Sequence, residues 1–258
     1  MPSDRSFRER VLAGEILLGT FSILASPAGA ELSARSGLDW VLVDLEHGLS
    51  TESELLPQLM AIRGAGATPI VRVETGARLR IGRALDMGAE GIMVPQVHRP
   101  QEAADVAAAL RYQPAGSRGI MLFSRGMSWG AGGHAAVSTR HQAITSMVQI
   151  ESPEAVANAA AMAAIDGVDV LFVGPADLSH AMGIPGRIDE PAFDAAIRSV
   201  ADAARAHGKA AGVMLWSPSD VVRYRDAGYT VFSLSNDGSL LDKAVRGFVD
   251  ETRAAVAS

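Results

Sequence analysis

The chain of 258 residues contains no cysteine and only two lysines. Without cysteine it forms no disulfide and offers neither a thiolate nucleophile nor a sulfur ligand to a metal. Lysine is the side chain that forms Schiff bases with carbonyl substrates. Lys209 precedes a strand-like apolar segment, at the end of the strand opposite to where barrel enzymes place catalytic residues, and Lys243 lies in the last helical segment. Imine chemistry is therefore not expected.

Long apolar runs and clusters of basic residues are also missing. No segment is apolar for long enough to cross a bilayer, and the formal net charge of −6 argues against a nucleic-acid partner. The first residues, MPSDRSFRERV, are charged and lack the apolar region of a secretory signal. With 48% hydrophobic and 20% charged residues, the composition is typical of a globular protein. We expect a cytoplasmic enzyme that binds neither membrane nor nucleic acid.

Eight apolar segments that predict strands alternate with segments that predict helices. This alternation indicates a parallel sheet, and eight repeats in about 250 residues match a closed (β/α)8 TIM barrel. The alternative, a doubly wound open sheet, lacks its usual G-x-G-x-x-G signature after the first strand. We therefore expect residues 1–258 to form a single barrel domain. The predicted strands cover 16–21, 40–48, 68–74, 91–97, 146–152, 168–174, 210–215 and 229–235.

Two further segments have local signatures. Thr51 is the predicted N-cap of a helix, and Glu54 three residues later completes a capping box. Residues 113–133 form a long irregular stretch rich in glycine and arginine, and loops of this length are usually functional or disordered. Arg118 and Arg125 within it are either solvated or, if the loop folds over the barrel, bind the polar tail of a substrate.

Acids follow two neighbouring predicted strands. Glu151 ends VQIE, and Asp177 lies in GPADLS directly after the next strand. Neighbouring parallel strands lie about 5 Å apart, so both acids should face one small volume. Either acid is alternatively a helix cap, but two close carboxylates repel unless a cation joins them. Two carboxylates leave about four positions of an octahedral ion for substrate and water, which suits Mg²⁺ or Mn²⁺ better than zinc.

Other polar residues follow the second and third predicted strands. Arg72 is either a structural ion-pair partner or stabilises a developing enolate oxygen. His47 is either a solvated loop residue or a base, and an aspartate partner such as Asp86 would fix its tautomer. The first N–H groups of the helix at GPADLS would accept an anion, such as the carboxylate of a substrate.

Together these segments resemble the metal-dependent (class II) pyruvate aldolases, which include 4-hydroxy-2-oxoheptanedioate aldolase and 2-dehydro-3-deoxyglucarate aldolase. The resemblance covers essentially the whole chain, and within the family the chain also looks like the hydroxy-ketoacid aldolases that use hydroxypyruvate. The motifs that carry it are WVLVDLEHG, PIVRV, ALDMGAEGIMVPQV, RYQPAGSRG, VQIES and GVDVLFVGPADLSHAMG.

The resemblance implies a role for individual residues. Glu151 and Asp177 would bind Mg²⁺, Mn²⁺ or Co²⁺, and Asp44 would hold a metal-bound water. The remaining assignments concern the substrates: Gln149 and Arg72 contact the ketoacid, the N–H groups of Ala176 and Asp177 bind its carboxylate, His47 and Asp86 move protons through a water, Arg125 faces the aldehyde, and Leu215 lines a neighbouring subunit's pocket. The family further implies a homo-oligomer, a trimer or hexamer, with the C-terminal helix exchanged between subunits.

The predicted reaction is the reversible aldol cleavage and addition of 4-hydroxy-2-ketoacids, with pyruvate or hydroxypyruvate as donor and an aldehyde as acceptor. One alternative is an acyl-CoA ester lyase of the citrate lyase beta or malyl-CoA lyase type, although the chain offers no lysine cluster for the nucleotide phosphates. The other is a ligand-binding barrel without catalysis. The complete set of acid, base and cation positions favours the aldolase.

Overall fold

The structure, a computed structural model, describes residues 5–257. Eight parallel strands form a closed barrel, in which each strand pairs with the next along the chain and β8 pairs with β1. The predicted (β/α)8 barrel is confirmed and the open sheet is wrong. The strands are β1 (Leu17–Ser22), β2 (Trp40–Asp44), β3 (Thr68–Arg72), β4 (Gly91–Val94), β5 (Thr145–Ile150), β6 (Val170–Val173), β7 (Ala210–Leu215) and β8 (Val231–Asn236).

Helices surround the barrel. They are α1 (Phe7–Leu12), α2 (Pro27–Arg35), α3 (Glu52–Gly64), α4 (Arg78–Asp86), α5 (Pro100–Leu110), α6 (Val137–Arg140), α7 (Pro153–Ala157), α8 (Ala159–Ala163), α9 (Pro175–Ala181), α10 (Pro191–Ala206), α11 (Asp220–Ala227) and α12 (Asp237–Ala257). The predicted single helix after β5 is divided into α7 and α8 at Asn158, whose Nδ2 donates to the His98 carbonyl at 2.8 Å. Within the described part of the chain, no helix is long and apolar enough to span a membrane.

Alternation along the strands sorts the apolar side chains into two layers, because successive residues of a strand point to opposite faces. The interior of the barrel contains Leu17, Phe21, Trp40, Leu42, Ile70, Met93, Met147, Val170, Phe172, Ala210 and Val231, with Phe7 and Val11 of α1 in the same cluster. The intervening residues, such as Val41, Val71 and Val213, pack outwards against the helices. Glycine at an inward position makes room for bulk: a side chain at Gly19 would overlap Trp40, and one at Gly212 would overlap Phe172.

The two ends of the barrel carry different segments, and we call the end where the strands finish the rim and the other end the base. Residues 111–144 connect α5 to β5 and lie at the base, where Gly126 N–H donates to the Asp86 carbonyl and Thr145 N–H to the Glu90 carbonyl. Arg8 of α1 reaches the same segment through the Gln142 carbonyl at 3.1 Å. The long loop therefore does not fold over the rim of its own barrel.

The capping box predicted for α3 is confirmed. The Thr51 N–H donates to Glu54 Oε2 at 2.8 Å, and the Thr51 hydroxyl also contacts that oxygen. Hydrogen bonds from Ser53 and Thr51 lower the pKa of the Glu54 carboxyl to about 2. The charged form of Glu54 is thus the form that the folded chain stabilises.

We predict that Glu54→Ala lowers the melting temperature at neutral pH and has a shrinking effect in acid. The folded pKa is depressed from 4.5, so the contribution of Glu54 is complete above that value and disappears as the pH falls towards 2. Thermal unfolding of wild type and variant across this range measures it, with exposed Glu251→Ala as the control. A difference in melting temperature that stays constant with pH would contradict the assignment.

Candidate active site at the rim of the barrel

Arg72 is the centre of a buried charge cluster at the rim. It ends β3 directly beside Asp44, which ends β2. The two form a bidentate ion pair, with Arg72 Nε 2.8 Å from Asp44 Oδ1 and Nη2 2.6 Å from Oδ2. Arg72 Nη1 lies 3.0 Å from Glu46 Oε2. The structural ion pair, one of the two alternatives for Arg72, is therefore present, and the guanidinium also reaches Gln149 on β5.

The turn after β2 folds around the Asp44 carboxylate. Asp44 Oδ1 accepts the N–H groups of Glu46 at 3.0 Å and His47 at 3.3 Å. These bonds present His47 to solvent, with 68% of its side chain exposed and Nε2 3.6 Å from Glu46 Oε1. An exposed imidazole at the rim remains available to a substrate or a second chain.

Glu151 continues the cluster from the tip of β5. Gln149 Nε2 donates to Glu151 Oε1 at 2.8 Å, and Arg72 Nη1 donates to Gln149 Oε1 at 3.5 Å. The other carboxylate oxygen, Oε2, accepts the N–H of Gln96 at 3.0 Å. An unbroken set of polar contacts thus connects Asp44 to Glu151 through Arg72 and Gln149.

Negative charge exceeds positive charge in this cluster. Burial raises the pKa of the Glu151 carboxyl to about 7, and the negative charges of Asp177 and Glu46 raise it further. The hydrogen bond from the Gln96 N–H and the charge of Arg72 act in the opposite direction and lower it. Burial likewise raises the pKa of Glu46. Glu151 has amide donors on both oxygens but no ion pair of its own, which is the environment that a bound cation would complete.

Asp177 approaches this environment from the first turn of α9. Its N–H and that of Ala176 belong to the turn in which a helix has no internal acceptor, so both point towards the rim without a helical partner. In residues 5–257 no group of three or more acidic or histidine side chains is arranged around a metal position. The predicted site needs only two protein carboxylates, and the residues present fit a hard divalent ion whose other ligands come from substrate and water.

One of the predicted catalytic residues, Asp86, does not lie at the rim. Asp86 is the last residue of α4, which runs from the rim to the base, and its Oδ1 accepts Arg118 Nη2 at 2.9 Å. His47 follows β2 at the rim. The predicted His47–Asp86 pair is consequently not formed within one chain, because the length of the barrel wall separates the two side chains.

Arg125 also lies at the base, in the same patch as Asp86. Its side chain packs against Gly88, and the N–H of the following residue, Gly126, donates to the Asp86 carbonyl at 3.1 Å. Arg118 was predicted to be either solvated or substrate-binding. It is instead buried, with its guanidinium 4.5 Å from the centre of the Tyr112 ring. Leu215 is the last residue of β7 and is buried in the outer layer, between the strand and the helices, instead of facing the interior of the barrel mouth.

The sequence did not predict the roles that two residues have in the structure. The backbone N–H of Gln96 carries no signature, since any residue but proline supplies one. Arg118 was recognised only as a loop cation, and its burial against Tyr112 and Asp86 depends on a fold of the loop that no periodicity encodes. The unusual feature of Gln96 is its left-handed backbone, with φ of 53°, and this is visible only in the structure.

Comparisons with known proteins identify a family whose model covers the residues of this rim. The family model described as HpcH/HpaI aldolase/citrate lyase matches residues 17–244, from β1 into α12. The chain belongs to this family. The match covers the strands whose ends supply every rim residue named above, so the geometry and the family assignment concern the same part of the chain.

Relatives and a solved structure agree with the assignment. A hydroxypyruvate/pyruvate aldolase of Delftia acidovorans is 38% identical over 253 residues, 98% of this chain and 94% of the relative. A 5-keto-4-deoxy-D-glucarate aldolase of Enterobacter sp. (strain 638) is 36% identical over 95% of both chains. The crystal structure of a family member from Burkholderia cenocepacia J2315 has a TM-score of 0.90 at 33% identity, covering 95% of this chain and 98% of that one. The predicted aldolase family and the carbon–carbon lyase class are confirmed.

We predict that Asp44→Ala destabilises the fold by about 3–5 kcal/mol, because it leaves the buried Arg72 guanidinium without its bidentate partner. Urea denaturation measures the change in the free energy of unfolding. The matched control is Asp242→Ala, which removes an exposed partner of Arg246 in α12 and should change the stability far less, because exposed ion pairs contribute little. Equal losses in the two variants would show that the Asp44–Arg72 pair carries no special weight.

Proposed function

We propose that this member of the family is a divalent-metal-dependent aldolase for 4-hydroxy-2-ketoacids, with pyruvate or hydroxypyruvate as donor and an aldehyde as acceptor. The observation that carries the proposal is the composition of the rim. Glu151 lies there in contact with Gln149, which in turn contacts Arg72, and the negative charge of Asp177 in the first turn of α9 acts on the Glu151 carboxyl and raises its pKa. Lys209 precedes β7 at the base, and Lys243 lies on α12, so neither lysine is placed for an imine. The names of the aldolase relatives support the same donors.

Glu151 and Asp177 would hold the metal, and Mg²⁺, Mn²⁺ and Co²⁺ are all compatible with this donor set. When bound, the ion supplies Lewis acidity that polarises the keto group of the donor. Gln96 N–H and Gln149 Nε2 hold the Glu151 carboxylate in place from either side. Asp44 binds Arg72 through both of its oxygens, and a lone pair of Oδ2 would remain to hold a metal-bound water.

The donor would bind between α9 and Arg72. The N–H groups of Ala176 and Asp177 would bind the ketoacid carboxylate, as helix first turns bind anions. Arg72, fixed by Asp44, would face the oxygen that becomes negative when the donor forms its enolate. A fixed guanidinium stabilises that charge without reorienting during the reaction.

Proton transfer requires His47, and its predicted partner Asp86 lies at the base of the same chain. We therefore propose that the active site is shared between chains, with His47 of one chain facing Asp86 and Arg125 of another. Asp86 and Arg125 occupy one patch at the base, so a single docking of base against rim would deliver both. Arg125 would then contact the distal group of the aldehyde. Leu215 would line such a shared pocket only through a rearrangement near the tip of β7.

A homo-oligomer, a trimer or hexamer, is supported by α12. This helix leaves the barrel after Asp237, whose carboxylate accepts the N–H of Ile23, and none of its 21 residues is buried. Its exposed apolar residues recur at helical spacing, at Leu241, Val245, Phe248 and Val256. An apolar helical face of this length is expected to be covered, and the proposed cover is the barrel wall of a second copy through helix exchange.

We predict that EDTA abolishes aldol turnover and that Mg²⁺, Mn²⁺ or Co²⁺ restores it. Pyruvate and hydroxypyruvate are assayed against a panel of aldehydes by chromatography of the products. Glu151→Gln should lower kcat/KM by about 10³-fold or more, because it removes one of two metal ligands. Borohydride treatment with pyruvate serves as the control for imine chemistry and should leave activity intact. Metal-independent turnover, or inactivation by borohydride, would overturn the proposal.

We predict that inactive variants complement each other if the site is shared. His47→Ala and Asp86→Ala should each lose most activity alone. Co-expression and co-purification of the two should restore turnover, because some sites then combine an intact His47 with an intact Asp86 from another chain. The control is co-expression of His47→Ala with Arg72→Ala. Both substitutions lie at the rim, so every site in that mixed oligomer has a defective rim and should stay inactive. A lack of recovery in a confirmed mixed oligomer would contradict the shared site.

The acyl-CoA ester lyase remains the second candidate, since the family name includes citrate lyase. The relatives named above are aldolases of free ketoacids, and the rim residues described here include no lysine for nucleotide phosphates. Cleavage of malyl-CoA without turnover of any free hydroxy-ketoacid would favour the lyase instead.

A further inference from the structure

We propose that Gly174 is a positioning residue for Glu151, because the missing side chain of Gly174 creates the space that the Glu151 carboxylate occupies. A Cβ at Gly174 would lie 2.7 Å from Glu151 Oε1, 3.0 Å from Cγ and 3.3 Å from Cδ. Contacts below 3.0 Å are closer than packed carbon and oxygen atoms tolerate. Any side chain at Gly174 would therefore displace the carboxylate from its present position.

The alternation of β6 explains why this position is sensitive. Val170 and Phe172 belong to the interior cluster, so the next inward position is Gly174, the extended residue directly after the end of β6. A side chain there would project into the mouth of the barrel towards the neighbouring strand, β5, where Glu151 ends the inward row of Met147 and Gln149. Gly174 thus repeats at the rim what Gly212 does for Phe172 deeper in the barrel.

Backbone strain does not require glycine here. Gly174 has φ of −94° and ψ of 97°, an extended conformation that every residue adopts. The need for glycine is therefore entirely a need for space. This distinguishes Gly174 from the glycines of the chain that have positive φ.

The opposite face of the carboxylate is held by Gln96. Its N–H donates to Glu151 Oε2 at 3.0 Å, and its φ of 53° is unusual for a residue with a side chain. Gln149 holds Oε1 from below at 2.8 Å. Glu151 is thereby confined by one hydrogen bond to each oxygen and by the bare backbone of Gly174, which fixes where its free lone pairs point.

The expected consequence of Gly174→Ala is a loss of metal affinity with the fold retained. The atoms that a methyl group would meet are the outer atoms of one glutamate side chain, which can rotate away without moving the backbone. The hydrogen bonds from Gln96 and Gln149 would then be lost or lengthened. Disturbing the groups that orient a metal ligand typically weakens metal binding by about 10- to 100-fold.

The test is titration of the full-length, metal-free protein with Mn²⁺ alone, followed by the electron paramagnetic resonance signal of free Mn²⁺. Gly174→Ala should raise the dissociation constant about 10- to 100-fold, with an unchanged circular dichroism spectrum. The matched control is Gly82→Ala, the same chemical change in α4 at a position with no neighbour within 4 Å of the added carbon. Equal affinity in Gly174→Ala and wild type would overturn the inference.

A double-mutant cycle separates the contact from a general structural effect. Glu151→Asp shortens the side chain by one methylene group and withdraws the carboxylate from Gly174. In that background Gly174→Ala should weaken Mn²⁺ binding by a much smaller factor than it does beside the full-length glutamate. The same factor in both backgrounds would show that Gly174 does not act through Glu151, even if the affinity itself falls.

This inference rests on the proposed function, since it takes Glu151 as a metal ligand. Glu151→Gln in the same titration tells the two apart. If Glu151→Gln loses Mn²⁺ and Gly174→Ala does not, the metal site stands and only the role of Gly174 is wrong. If Glu151→Gln binds Mn²⁺ as the wild type does, the proposed metal site is wrong and the role of Gly174 falls with it.

Discussion

The closed parallel barrel imposes a period of two on every strand, and the rest of the structure depends on this constraint. Each strand sends alternate residues inwards, where apolar side chains fill the interior from α1 upwards. At the rim the same inward rows end in polar residues: Asp44 above Leu42, Arg72 above Ile70, and Gln149 and Glu151 above Met147. Pairing of β2 with β3 then sets Asp44 directly beside Arg72. The candidate active site is therefore the last layer of the barrel interior, at the rim.

Burial at that position strengthens the interactions between charges and makes an unpaired charge costly in free energy. Asp44, Arg72 and Glu151 are all nearly excluded from solvent, so each must find a partner inside the protein. Arg72 satisfies Asp44 and contacts Glu46, which leaves Glu151 with amide donors and a raised pKa. A divalent ion held by Glu151 and Asp177, as proposed, would offset this excess of negative charge and would supply Lewis acidity to the substrate. One bound cation would therefore both balance the charge of the rim and supply the proposed chemistry.

The rim and the base of the barrel belong to one reaction only if chains meet. Asp86 and Arg125 are held at the base by the loop that connects α5 to β5, far along the barrel wall from His47. Arg118, buried against Tyr112, keeps Asp86 in a fixed place within that patch. None of the residues of α12 is buried, and its exposed apolar face is a second surface that a neighbouring copy would bury. Both features have the same explanation in an assembly.

The sequence by itself determined the barrel, because the alternation of an apolar strand segment with a helical segment is a local signal that repeats eight times. It also determined most of the rim, since strand ends can be located to within a few residues and parallel strands bring their ends together. Asp44, Arg72, Gln149, Glu151 and Asp177 were all identified in this way or through the family resemblance. Only the tertiary structure decided that Asp86 and Arg125 lie at the base. It also decided that the Gln96 N–H binds Glu151 and that Gly174 leaves room for the Glu151 carboxylate. These depend on helix direction, on loop folding and on contacts between strands, which no stretch of sequence encodes alone.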